Sequence, residues 1–433
     1  MSSSAASQPS ASPAPFSSPL AAELAEDALA RFLRYVRIDT QSAYGSETYP
    51  STLKQLDLSR LLLEELLALG LEDAVLDEHG YVFATLPGTA EAPTVGLMAH
   101  VDTSPDAPGA GVRPLVHHAW DGSPIVLPGD PEQVLDPAES PALAVRVGHD
   151  IVTSDGSTLL GADDKAGVAA IMAAAAYLVS RPEPARAPVR IAFTVDEEVG
   201  AGTKHLDLGV FGADIAYTLD GSGAGELELE TFNAKAVTVT FRGRGTHPGT
   251  AKGELVNAIK LAADFVASLP RDGLSPETTE GREGFVHPGR IVGNGTETTI
   301  HLIARDHDAG SLDEHVALLE RLADEAAAQD PRAAVGVEVE ETYRNMREAI
   351  DAHPRVVAAA DEAIRRAGLE PKHTIIRGGT DGAELSRRGL PTPNLFTGGQ
   401  EYHSVREWLS VQDLAAATAT IVELVRVWAE PQP

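Results

Sequence analysis

The chain has 433 residues, enough for two or three domains with a sizeable buried core. With 43% hydrophobic and 23% charged residues it reads as a soluble globular protein, and no apolar run approaches the ~20 residues that a bilayer span needs. Thirty-four Lys and Arg against 64 Asp and Glu leave a net charge of −30, which disfavours nucleic acid and anionic membranes as partners, and the absence of cysteine leaves only His, Asp and Glu to hold a metal.

Residues 1–20 are rich in Ser, Ala and Pro, carry no charge and lack the basic start and apolar stretch of a secretory signal. They are expected to form a disordered tail on a cytoplasmic protein. Leu24, Leu29, Phe32, Leu33 and Val36 then recur at helical spacing, and a second helical pattern covers residues 56–69 before Gly70. Short apolar runs at 81–86, 94–99, 189–195 and 215–219 predict strands, with an Ala-rich helix over 165–179 between them. Strands alternating with helices predict an α/β domain, a central sheet flanked by helices. The Pro-, Gly- and Asp-rich interval 105–147 is expected to be hairpin or loop.

The pattern changes after Asp220. Strand 237–241, helix 254–268, strands 286–292 and 298–304, helix 312–327 and strand 335–341 follow in the order βαββαβ, the signature of a ferredoxin-like α+β unit. From His353 to Trp428 the earlier style returns. The domains are therefore expected as a tail over 1–20, a main domain over 21–231 and 343–433, and an inserted domain over 232–342.

Ligands of open α/β sheets sit beyond the carboxyl ends of the strands, and four such ends carry metal-competent side chains. They are His100 and Asp102, then Asp163 and Asp164 in GADDKAG, then Glu197 and Glu198 in DEEVG, then Asp220. Singly, each has an ordinary structural reading as a helix cap or a tight turn. Together, these carboxylates and the histidine on one sheet edge, with no basic cluster nearby in sequence, would repel one another unless cations neutralised them. A histidine in the set favours zinc, with cobalt or manganese as alternatives, over calcium or magnesium. Asp102 is placed to accept the other ring N–H of His100, and whichever of the adjacent glutamates does not bind metal can act as general base to a metal-bound water. No GxSxG, HExxH or GxxxxGK[ST] is present, and GSGAG after Asp220 runs into the strand-like ELELE rather than a dinucleotide-binding helix.

HVDT at His100, TLLGADDKAG, DEEVG, LDG, THPGTAKG and RGGTDGAELSRRGLPTPNLFTGGQEYH, in this order, resemble the peptidase T family of tripeptide aminopeptidases, within the di-zinc aminoacylase and carboxypeptidase superfamily. The resemblance runs from about Ala21 to the C-terminus. It implies a zinc-exopeptidase-like central mixed sheet with the inserted domain as a lid, and attack by a metal-bridging water. Asp163 would bridge two metal ions, one also held by His100 and Asp220, the other by Glu198 and His403. Glu197 would be the general base, Asp102 the support for His100, and the Asp163–Asp164 peptide bond cis. His247, in the turn THPGT, would reach the substrate on lid closure. Arg305 and Arg377 are candidate anchors for a substrate carboxylate, because Arg offers a bidentate fork. The expected substrates are tripeptides with a free amino terminus. A dipeptidase, an N-acyl amino acid deacylase and a non-catalytic binding relative are the alternatives, and an inserted domain with an open sheet edge can pair with a second copy.

Overall fold

The computed structural model describes residues 13–181 and 184–431. The described residues form two compact units, one holding those up to Leu229 with Glu348–Thr374 and those from Thr380 onward, the other Glu230–Arg347 with Ile375–Gly379. Among the described residues no helix is long and apolar enough to cross a membrane.

The first unit is built on an eight-stranded sheet in the order Val75–Leu76, Val82–Leu86, Val189–Thr194, Val95–His100, Ile215–Gly221, Asn394–Phe396, Glu226–Glu230, Lys372–Ile375. The four strands from Val189–Thr194 to Asn394–Phe396 run parallel, while Val82–Leu86 and Glu226–Glu230 join them antiparallel, so the sheet is mixed. Val95–His100 is buried at every position, as a strand covered on both faces must be, which is why it reads as an unbroken apolar run. Helix Ala162–Ser180 packs on that strand and on Ile215–Gly221, and against helices Pro19–Tyr35 and Val411–Ala429. Its alanines allow the close approach, and Gly167 requires it. A Cβ there would stand 2.0 Å from the carbonyl oxygen of Leu219, directly behind Asp220.

Two stretches hold more structure than the sequence predicts. Of the expected tail, residues 1–12 lie outside the described residues, but Ser18 caps the first helix by accepting from the N–H of Ala21, and Pro19 opens it at the position where a missing N–H costs nothing. The Ser17 hydroxyl donates to the carbonyl of Ala367, fixing the entry. Within 105–147 a short hairpin pairs Ile125–Val126 with Val134–Leu135. Strand Leu115–His117 joins Ile151–Thr153, Trp408–Ser410 and Gly399–Gln400 in a second sheet. Trp120, Leu127, Leu143, Ile151 and Trp408 form a small core there. This minor sheet matters because Trp408 pairs with Thr153, tying the loop after Gly399 to the segment that leads into GADDKAG.

The second unit is a four-stranded antiparallel sheet in the order Phe285–Gly293, Glu297–Asp306, Asn233–Arg242, Ala334–Tyr343, with helices Ala258–Ser268 and Ala309–Ala327 against it. This is the ferredoxin-like arrangement. Val237, Val239 and Phe241 alternate inward, and Ala258, Leu261, Ala262 and Phe265 supply the facing helical stripe. The first helix begins four residues later than its apolar pattern suggests, because the Asn257 side chain caps it and Val256 instead bridges Arg244.

Candidate metal centre

His100 ends the buried central strand, and its ring is held on both sides. Nε2 lies 3.0 Å from Oδ1 of Asp163 and 3.7 Å from Oδ1 of Asp220, while Nδ1 lies 3.1 Å from the backbone carbonyl oxygen of Asp102 and 3.3 Å from its carboxylate. Asp102 also accepts the backbone N–H groups of Glu197 (3.0 Å) and Glu198 (3.2 Å). One residue, Asp102, therefore holds both the histidine ring and the DEEVG turn. That turn starts at Asp196, whose backbone is left-handed (φ +60°), a conformation that side chains hold only when pinned. The pins are Ser51, whose N–H and hydroxyl both donate to the Asp196 carboxylate at 2.5 Å, and Gln55, whose amide donates to it at 2.6 Å.

The opposite side of the cluster comes from the loop after Gly399. His403, also left-handed (φ +59°), brings Nε2 to 3.2 Å from Oδ2 of Asp163 and 2.8 Å from Oε2 of Glu198. Its Nδ1 lies 3.5 Å from Asp106, which in turn accepts the Tyr44 hydroxyl at 3.1 Å. Asp163 thus faces His100 through one carboxylate oxygen and His403 through the other. The Asp163–Asp164 bond is cis, as the motif resemblance implies. The Asp164 carboxylate is spent on the backbone N–H groups of His100 (3.2 Å) and Gly167 (3.1 Å).

The residues fit a pair of cations. His100, Asp163 and Glu198 offer ligand atoms within 4.8 Å of one another, as do His100, Asp164 and Asp220. In the second group Asp163 is the better candidate, since Asp164 already accepts two backbone bonds. Oε1 of Glu198 is buried with no hydrogen-bond partner among the described residues, an acceptor without a donor. Burial, then repulsion from Asp163, raises Asp220 to about 6 and Glu198 to about 8, and burial with neighbouring carboxylates pushes Glu197 well above the usual range. Bonds to Asp163 and Glu198 raise His403 to about 11. Such shifts mark a site short of positive charge. The lysine of GADDKAG does not supply it: Lys165 is buried, donates to the carbonyl of Ile38 at 2.7 Å, and is lowered by burial to about 7.

The structure brings His100, Asp102, Asp163, Glu197, Glu198, Asp220 and His403 together in the first unit. His247, Arg305 and Arg377 belong to the second. His247 is exposed, and its Nδ1 accepts the N–H of Gly249 at 3.1 Å, which leaves the proton of the neutral ring on Nε2. Arg377 is not an open fork: it donates to the carbonyls of Gly281 and Glu283 at 2.8 Å each and to Thr279 at 3.0 Å. Arg305 donates to the Arg377 carbonyl at 3.3 Å, lies 5.8 Å from the ring centres of both Phe285 and Tyr343, and keeps a buried Nε with no partner among the described residues.

Three residues of the site escape the sequence reading. Asn394 accepts the N–H of Asp220 at 2.9 Å and donates to Glu228 at 2.5 Å. Asp381 is buried, accepts the Thr194 hydroxyl at 2.9 Å and is raised by burial to about 7. Glu407 is buried behind Asp163, and burial raises it to about 7 although three backbone N–H groups donate to it. The only signal for Asp381 was its place in RGGTDG, and Glu407 stands alone among loop residues.

Comparison with known proteins gives a consistent result. The model of "Peptidase family M20/M25/M40" matches residues 158–427. A relative from Geobacillus sp. (strain WCH70), named peptidase T, is 45% identical over 400 residues, covering 92% of this chain and 97% of its own. Among solved structures, aminopeptidase PepT from Bacillus cereus superposes with a TM-score of 0.72 at 26% identity, covering 94% of this chain and 99% of that one. A tripeptidase from Staphylococcus aureus superposes with a TM-score of 0.74 at 24% identity, covering 94% and 98%.

Proposed function

This chain belongs to peptidase family M20/M25/M40, and on that premise we propose that it is a tripeptide aminopeptidase, releasing the first residue of tripeptides that carry a free amino terminus. The observation that carries this reading is the single carboxylate of Asp163 facing His100 at 3.0 Å and His403 at 3.2 Å, with Asp220 and Glu198 on either side. The ordered motifs and the likeness to peptidase T support the peptide class.

The proposed ligand sets are His100, Asp163 and Asp220 for one ion and Asp163, Glu198 and His403 for the other. Mixed nitrogen and oxygen donors suit zinc, with cobalt and manganese as alternatives. Divalent ions held there would lower the pKa of water and polarise a carbonyl. Glu197 takes the proton of the attacking water as its oxygen bonds to the scissile carbonyl carbon, then gives that proton to the departing amine as the C–N bond breaks. Asp102 keeps Nε2 of His100 turned toward Asp163. His247 donates from Nε2 to the oxygen that gains negative charge.

Arg305 is proposed as the anchor of the peptide's terminal carboxylate, given that its Nε has no partner among the described residues. Arg377 shapes the loop beside it. A charge-assisted bond of this kind is worth about 1.5–3 kcal/mol, so Arg305→Ala should raise KM for a tripeptide by about 10–100-fold with kcat little changed. The wild-type enzyme should lose a similar amount on a C-terminally amidated tripeptide, and the variant little more. Equal KM values for the two proteins would remove Arg305 from the substrate site.

The activity itself is tested with a free tripeptide, its N-acetylated twin and a dipeptide, each with and without a chelator. Chelator-sensitive release of the first residue from the free tripeptide alone is the expected result. Preference for the acetylated peptide or the dipeptide would make the protein a deacylase or dipeptidase. Zinc binding without turnover of any of the three would make it a binding relative.

A further inference from the structure

We infer that Glu407, which is outside both proposed ligand sets, is the positioning residue for the shared carboxylate of Asp163. The inference rests on the di-metal reading above and deepens it. Glu407 is 1% exposed, and its carboxylate takes three backbone bonds from a segment more than two hundred residues away. Oε2 accepts the N–H groups of Leu160 (2.8 Å) and Gly161 (2.6 Å), and Oε1 accepts that of Asp163 (3.0 Å).

The need for such an acceptor is local. Helix Ala162–Ser180 starts without a capping side chain, because Gly161 occupies the cap position in a left-handed conformation (φ +84°). Asp163 and Asp164 are themselves non-helical. The N–H groups of a helix start have no partner within the helix, and here they are buried, so an outside acceptor has to supply what a cap would. Glu407 does so with a charge, which strengthens each bond.

The geometry also shows what this acceptor controls. Glu407 lies four residues beyond His403 on the same loop, next to Trp408, which pairs with Thr153. That loop therefore grips Asp163 twice, at its carboxylate through His403 and at its backbone N–H through Glu407. The separation of His403 from Asp163, and the aim of Asp163 toward His100, depend on both grips. An amide cannot replace the carboxylate: with its oxygen kept for Leu160 and Gly161, its NH₂ would face the N–H of Asp163, donor against donor.

The test uses full-length Glu407→Gln and Glu407→Asp beside Arg190→Ala. Arg190 bonds the carbonyl of Phe211 and the Thr85 hydroxyl at the amino end of its strand, the edge of the sheet opposite the metal-binding residues. Zinc affinity is measured by competition with a chromophoric chelator, and metal-free melting temperature and KM are recorded for each protein. Loss of an outer partner of a metal ligand typically costs ~10–100-fold in affinity. Glu407→Gln should weaken both zinc ions together by that factor, because Asp163 serves both, and excess zinc should restore much of kcat at unchanged KM. Glu407→Asp, which keeps the charge but shortens its reach, should do the same to a smaller degree. Arg190→Ala should lower the melting temperature without moving either affinity. Wild-type zinc affinities in both Glu407 variants, or loss of one ion alone, would overturn the inference. A wild-type protein that binds no zinc would instead overturn the functional reading on which it stands.

Discussion

Glu197→Gln is expected to lower kcat for a free-amino tripeptide by about 10³-fold, within the range that a positioned general base contributes, with KM and the content of both metals unchanged. The argument starts from the turn. Ser51 and Gln55 pin Asp196 in its left-handed conformation, and the Asp102 carboxylate accepts the N–H of Glu197 and Glu198 in succession. None of these bonds uses the Glu197 side chain, so glutamine leaves the turn in place. Glu198, whose Oε2 lies 2.8 Å from His403, keeps its proposed ligand role, whereas Glu197 makes no such approach to a histidine among the described residues. What glutamine removes is the capacity to accept a proton. Turnover and metal content measured on one preparation check this. A loss of metal equal to the loss of rate would make Glu197 a ligand and leave the general base to be found elsewhere.

The sequence makes the parallel-strand edge legible for a physical reason. A strand buried on both faces must be apolar throughout, so His100 after Thr94–Ala99 and Asp220 after Ile215–Leu219 stand out as polar interruptions at chain positions where sheets bind ligands. His403 has no such marker. It is brought in by a minor sheet whose strands, Gly399–Gln400, Trp408–Ser410 and Ile151–Thr153, are two or three residues long and too short to show a period. Motif resemblance, not periodicity, points to it. Glu407 and Asn394 were illegible because they act through backbone N–H groups of distant segments, and hydrogen bonds of that kind leave no spacing in the chain. In the other direction, Arg377 looks like a free fork in RGGTDG, yet its donors are consumed by the carbonyls of a loop nearly a hundred residues earlier. The helical register of 254–268 was clear, but its start was not, since Asn257 capping overrides apolar periodicity that runs on before it.

Asp220→Asn should have opposite effects on the metal-free and the metal-loaded protein. Burial, then repulsion from Asp163, raises the Asp220 pKa from its ordinary value of 3.8 to about 6, with His100 pulling the other way. A carboxylate whose pKa is raised by folding costs stability in its charged form. That cost is absent below the unfolded value, near pH 3.8, grows as the pH rises and is complete above about pH 6. Asparagine abolishes it while keeping the shape. The metal-free variant should therefore be more stable than metal-free wild type by roughly 2–3 kcal/mol at pH 7.5, the equivalent of a shift of about two units, but by less than about 1 kcal/mol at pH 4. With zinc the order reverses. The ion held by His100 and Asp163 loses its third ligand, so its occupancy falls, the stabilisation contributed by binding shrinks, and hydrolysis drops to the level of chelator-treated wild type. The ion at Glu198 and His403 should remain. Denaturant unfolding at the two pH values, with and without zinc, separates these effects. If the metal-free variant is less stable than wild type at pH 7.5, then Asp220 is stabilised by its partners rather than strained by them, and the charge shortage inferred for this site is wrong.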